Sequence, residues 1–122
     1  MPLAAISYAI RPGHEDDIAA IFAGFQRVGG PGVRDATGAE AGRILSTALF
    51  LRDDLMVRFI EYEGDLDAIA RHMAATPGVQ EVERRLKPYL SAPRETSTVE
   101  GFAATFRASL LRCISHLSVR DA

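Results

Sequence analysis

The sequence predicts an α+β domain of ferredoxin-like type, ordered strand, helix, strand, strand, helix, strand, and three observations carry that expectation. Hydrophobic spacing alternates between a period of two and a helical period along the chain. Two apolar runs in mid-sequence are separated by three turn-forming residues. With 122 residues there is room for one domain, 1–122, in which 93–122 reads as a C-terminal extension.

Leu3 to Ile10 sets Ala4, Ile6, Tyr8 and Ile10 on one face and Leu3, Ala5, Ser7 and Ala9 on the other, so it reads as the first strand, stopped by Arg11-Pro12-Gly13. From His14 the period changes. Ile18, Ile21, Phe22, Phe25 and Val28 recur at helical spacing, with Glu15, Asp16 and Asp17 in the first turn, where the helix dipole favours negative charge. Gly29 to Gly42 is rich in Gly and Ala and reads as a long irregular loop of the kind that often forms a lid. No Gly-Lys-Ser or Gly-Lys-Thr follows its glycines, so it is not a phosphate cradle.

Ile44–Leu51 and Leu55–Tyr62, joined by Arg52-Asp53-Asp54, read as an antiparallel hairpin. Glu63-Gly64-Asp65 closes it. Leu66, Ile69, Ala70 and Met73 then mark an amphipathic helix ending before Thr76-Pro77-Gly78, and Val79, Val82 and Leu86 mark a further short one. Lys87 to Ala92 is expected to return as a last strand, kept short or at an edge by Pro88. Ser97 and Glu100 have capping-box spacing ahead of Val99, Phe102, Ala103, Phe106 and Leu110, which predicts a C-terminal helix. Leu111 to Leu117 either extends that helix or forms a terminal strand.

This order leaves one sheet face without helices. An apolar face of that kind is most simply buried against a second copy, so a homodimer is expected.

A net charge of −2 and the lack of any Lys/Arg cluster interleaved with aromatics argue against nucleic-acid binding. No stretch approaches a membrane span and no secretory leader is visible, so a cytoplasmic protein is expected. Cys113, the lone cysteine, is expected to be a buried thiol. Histidines at 14, 72 and 116 have no ligand-like spacing, and there is no Gly-x-Ser-x-Gly; neither a metal nor another cofactor is called for.

Several segments, in order, carry a family resemblance: Gly42-Arg43-Ile44-Leu45-Ser46-Thr47, Glu61-Tyr62-Glu63-Gly64-Asp65, Ala70-Arg71-His72-Met73, Pro77-Gly78-Val79-Gln80-Glu81-Val82-Glu83, Pro88-Tyr89-Leu90, Phe106-Arg107 and Arg112-Cys113. Together they resemble the SchA/CurD-like proteins of bacterial spore-pigment clusters, from Pro2 to about Cys113. Asp54 to Glu61, Gln80-Glu81-Val82 and Tyr89-Leu90 are more distantly similar to tetracenomycin-type polyketide cyclases, which implies a dimeric α/β barrel. Where those cyclases usually carry a histidine on the hairpin this chain has Arg58, so no base is carried over from them.

The resemblance implies a tailoring protein of aromatic polyketide biosynthesis. Its first form is a cyclase or aromatase that folds a poly-β-ketone for ring closure. Its second is a cofactor-free, quinone-forming monooxygenase acting on a phenol or anthrone; its third is a non-catalytic subunit that binds the intermediate or docks on synthase components. Arg58 interrupts an apolar strand, so it either has a structural role, reaching solvent at an edge or paired with acceptors, or faces the cavity and stabilises an enolate. His72, at the margin of its helix's apolar stripe, is either exposed or hydrogen-bonded filler, or else the catalytic base. Ser7, Tyr8, Arg43 and Tyr62 are the candidate substrate-binding residues, set against plain packing for both tyrosines.

Overall fold

The computed structural model describes residues 2–24, 32–34 and 40–119. Its elements are β1 (Leu3–Ala9), α1 (Glu15–Ala23), β2 (Gly32–Arg34), β3 (Glu40–Arg52), β4 (Leu55–Gly64), α2 (Leu66–Ala75), α3 (Pro77–Leu86), a 3-10 turn (Lys87–Tyr89) and α4 (Val99–Ser109). The four strands form one antiparallel sheet in the order β1-β4-β3-β2, and the fold is α+β as expected.

Strand alternation decides which residues reach the core. Ile6 pairs with Arg58 and Arg58 with Leu49, while Ala5 pairs with Phe59 and Phe59 with Ala48. Directly opposed residues share a face, so Ala4, Ile6, Tyr8, Met56, Arg58 and Ile60 form one buried row system. The helices cover that face with Ile18, Ile69, Met73, Leu86, Phe102 and Phe106. On the other face Leu3, Phe50, Leu55 and Phe59 stay exposed, the rings of Phe50 and Phe59 meeting edge to face at 5.6 Å.

Arg52 pairs with Leu55, so the hairpin turns on Asp53-Asp54 alone; Asp53 takes the positive φ of 54° that such a tight turn needs. At the far end, Gly42 faces Gly64, and a Cβ on Gly42 would lie 2.6 Å from the Glu63 carbonyl oxygen. Only glycine fits there. α2 begins where the Asp65 carboxylate accepts from the Asp67 amide at 3.0 Å.

Five expectations are corrected. The stretch Gly29–Gly42 contains β2 and the start of β3, so part of the expected loop is paired sheet; the lid and the positions Phe25 and Val28 lie outside the described residues. The last strand is reduced to a single bridge, Ile10 with Leu90, because Lys87-Pro88-Tyr89 winds into a 3-10 turn that suits proline. α4 is capped by Thr98, whose side chain accepts from the Gly101 amide at 3.0 Å, while the Ser97 hydroxyl donates to Glu95 instead. Past Leu110, which bridges Ile6, residues 111–118 neither continue the helix nor form a strand, and Cys113 is exposed. A segment so weakly held buries no thiol.

α2 and α4 are clamped by charge. Arg71 donates to Asp67 at 2.9 Å and reaches both oxygens of Glu100, and Arg107 donates to Asp67 at 2.9 Å. Hydrogen bonds from Arg71 are the main cause holding Asp67 and Glu100 below the ordinary carboxylate range. Their folded pKa lies under the unfolded one, so the stabilisation is complete above the unfolded value and vanishes as pH falls through the folded one. Thermal melts taken from about pH 6 to about pH 2 should show the melting temperature falling with acid. Arg71→Met should flatten that fall in part, since Glu81 and Glu95 are also depressed by other partners.

Candidate functional site

The site is built around an arginine that alternation forces indoors. Met56, Arg58 and Ile60 occupy successive inward positions of β4, and Arg58 is left 7% exposed. Its guanidinium carbon lies 5.7 Å from the centroid of the Phe22 ring on α1. No carboxylate among the described residues pairs with it, and its Nε is buried with no hydrogen-bond partner. Desolvating a guanidinium without an anion costs several kcal/mol (order of magnitude), so this is a strained place for a charge.

A second buried charge group stands beside it. Val79, Val82, Glu83 and Leu86 of α3 are all buried, a spacing of i, i+3, i+4 and i+7 that puts one carboxylate in an apolar stripe. Glu83 accepts from Nη2 of Arg94 at 3.3 Å, both side chains being less than a tenth exposed. The Arg94 guanidinium in turn stacks 4.2 Å over the ring of Tyr8. The backbone carrying Arg94 is tethered to the helices through Gln80, which donates to the carbonyls of Ala74 and Thr96 at 2.9 Å each.

Between these groups lies a hollow walled by Tyr8, Phe22, Arg58, Met73, Glu83 and Phe102, with Val79 and Val82 completing it. Its volume is about 10 Å³. That is room for about one water molecule, far short of the roughly 300 Å³ at which ligand pockets begin. Among the described residues the cavity expected beneath the helices is thus reduced to this small hollow, walled by Phe22, Met73 and the arginine itself. Next to it an open cleft of about 420 Å³ is lined by Arg11, Lys87, Leu90, Ser91, Pro93 and Arg94. Arg94 thus belongs to the wall of the cleft while its ion-pair partner Glu83 lines the hollow.

Of the six residues singled out from the sequence, the structure brings Arg58 and Tyr8 together at the hollow. His72 does not line it: its helical neighbour Met73 does, and the His72 ring is turned about 100° further round α2. The His72 Nε2 is nonetheless buried without a hydrogen-bond partner among the described residues. Tyr62 follows Ile60 in the inward row and packs against the core without reaching the hollow. Ser7 and Arg43 lie on the helix-free face, the Ser7 hydroxyl 3.4 Å from the Ser109 carbonyl and Arg43 3.9 Å from Glu63. Glu83 and Arg94 are not singled out by sequence patterns. A carboxylate at i+4 from Val79 is a visible signal for the first; Arg94, in coil after Pro93, gives none.

Among the described residues no group of three His, Cys, Asp or Glu side chains is placed to hold a metal ion, and no helix is long and apolar enough to cross a membrane.

Residues 1–119 match the family model of the SchA/CurD like domain. The chain is 31% identical over 114 residues to polyketide synthase CurD of Streptomyces cyaneus, covering 93% of this chain and 29% of that protein. It is 30% identical over 117 residues to a 42.8 kDa protein in the whiE locus of Streptomyces coelicolor, covering 96% and 28%. The chain therefore spans under a third of the length of these relatives. Among solved structures it resembles tetracenomycin F2 cyclase from Streptomyces glaucescens, a type-II polyketide cyclase, with a TM-score of 0.58 and 22% identity over 98% of this chain and 99% of that one. At that identity the likeness is one of fold.

Proposed function

The chain belongs to the SchA/CurD like domain family, and from that premise we propose that it binds an aromatic polyketide intermediate at Arg58 and promotes closure of a ring on it. The observation that carries this reading is the buried Arg58, whose Nε has no hydrogen-bond partner and which pairs with no carboxylate among the described residues. A poly-β-ketone becomes anionic at oxygen when a carbon between two carbonyls loses a proton, and a preformed cation in a dry site stabilises that enolate more than the neutral ketone. The missing partner of Arg58 is then the charge that develops during the reaction.

Phe22 and Tyr8 give the hollow flat walls for a planar ring. In the closed form a ring does not fit, so binding requires the space to open. Movement of Arg94, which lines the larger cleft and is paired to Glu83 of the hollow, is the simplest way, since it would merge the two. Orientation of the folded chain and exclusion of water then supply most of the rate. Two copies are proposed to cover each other's helix-free faces, keeping the sheet behind Arg58 rigid.

Incubation with the pathway's partly cyclised intermediate, strictly without oxygen, tests the reading. The expected result is a new ring formed faster than in buffer; an unchanged intermediate counts against ring closure. If turnover appears only with oxygen, and labelled dioxygen enters the product, the protein is a cofactor-free monooxygenase using the same stabilised anion. The tightness of the hollow favours one further reading, a non-catalytic subunit that docks on synthase components. Pathway output unaffected by loss of Arg58 is its signature.

A further inference from the structure

We infer that Glu83, held by Arg94, is the group that takes and returns the proton in this site; the inference rests on the reading that a ketonic aromatic binds at Arg58. Ring closure begins with loss of a proton from carbon and anion oxidation with loss of one from an anthrone carbon or a phenol oxygen, and so both need a base against the hollow. Glu83 is a buried carboxylate that lines it.

Its environment is that of a working group rather than a structural one. A buried carboxylate kept for stability is normally saturated with donors, because each unsatisfied oxygen retains its desolvation cost. Glu83 has one anchor, the 3.3 Å bond from Arg94 to Oε1; Oε2 accepts no hydrogen bond among the described residues and is not one of the fully buried unpartnered atoms, and the residue lines an open cleft of about 370 Å³ as well as the hollow. Arg94 is itself under-satisfied, its Nε buried and unpartnered. Arg58 and Glu83 thus share the wall of one small hollow, while Arg94 holds Glu83 from the neighbouring cleft. Apolar residues of similar volume would fold as well or better.

The chemistry balances on these residues alone. The C–H bond breaks heterolytically, the proton passes to Oε2 of Glu83, and the electron pair moves into the carbonyl oxygen beside Arg58 as an enolate. The enolate carbon then adds to a second carbonyl carbon. A C–C bond forms, that carbonyl's π pair becomes an alkoxide, and Glu83 returns its proton to it. No electron is gained or lost overall. Arg94 is a positioning residue: it fixes the carboxylate through Oε1 and leaves Oε2 free to take the proton.

Anthrone, a planar tricyclic ketone with one acidic CH₂, is a probe that needs no knowledge of the natural substrate. In deuterated buffer under argon, the full chain should bind anthrone and speed exchange of its CH₂ protons above the buffer rate, as followed by NMR. Glu83→Gln should lower the catalysed exchange about 100-fold or more while changing anthrone affinity only a few-fold, the size expected for losing a general base. Glu83→Asp should retain a small part of the exchange. If Glu83→Gln does not fold, Glu83→Gln combined with Arg94→Met removes both charges together and takes its place, with the same loss expected. Wild-type exchange in either variant overturns the inference. Anthrone bound by the parent chain without faster exchange overturns it too, while leaving the binding reading intact; absence of binding removes both.

Discussion

Arg58→Met should melt higher than the parent chain and lose its activity. Met fills nearly the volume of the arginine stem without carrying charge into the core beside Ile6, Leu49 and Phe22. Replacing buried charge by apolar bulk is neutral or stabilising by about 1–4 kcal/mol, which for a domain of this size is roughly 3–15 °C in melting temperature. Losing a preformed donor to a developing oxyanion costs about 100- to 1,000-fold in rate. The two measurements are a thermal melt and anaerobic turnover of the polyketide intermediate, and their opposite signs are what matter. An arginine kept for the fold would show the reverse, a lower melting temperature with turnover preserved, and that outcome sinks the assignment. Arg58→Lys keeps the charge but not the planar fork, so it should recover only part of the rate.

The inward position of Arg58 is legible in the amino-acid sequence, because alternation through Leu55-Met56-Val57-Arg58 leaves it on the face of Met56 and Ile60. What it meets there is not. Phe22 reaches the guanidinium from α1, some 36 residues away in sequence, and the Glu83–Arg94 pair forms only when coil after Pro93 folds back over α3. Periodicity reports which face a residue occupies on its own element; it carries nothing about which other element arrives opposite. The same limit explains the near-absent last strand, where Ile10 to Leu90 is paired once, and the misplaced volume of the hollow. Small residues at Ala5, Ser7 and Ala9 do make one face of β1 shallow, but it is the helix-free face, so the space they leave lies outside the domain.

That shallow face carries the second large expected effect. Phe50 is 62% exposed, Leu55 49% and Phe59 42%, and Phe59 stands between Ala5 and Ala48, which leave room at its sides for side chains from a second copy. Exposed aromatics on a sheet face lose contact with water only if something covers them, and the same face of a twofold mate is self-complementary. Light scattering on a size-exclusion column should find the parent chain as a dimer at micromolar concentration. Phe50→Glu with Phe59→Glu should convert it to a monomer. Central aromatic anchors are worth about 2 kcal/mol or more each, so the pair should weaken association about 1,000-fold. The double variant should still fold, since neither ring belongs to the core cluster that holds the helices on the sheet. A parent chain that stays monomeric, or a double variant that associates as tightly as the parent, rejects the dimer. If instead the monomeric variant folds and its turnover falls with it, the cover on one face of β4 is needed for the chemistry on the other. Val57 and Phe59 flank Arg58 along that strand, so a sheet left bare behind it would hold the guanidinium less firmly against the enolate.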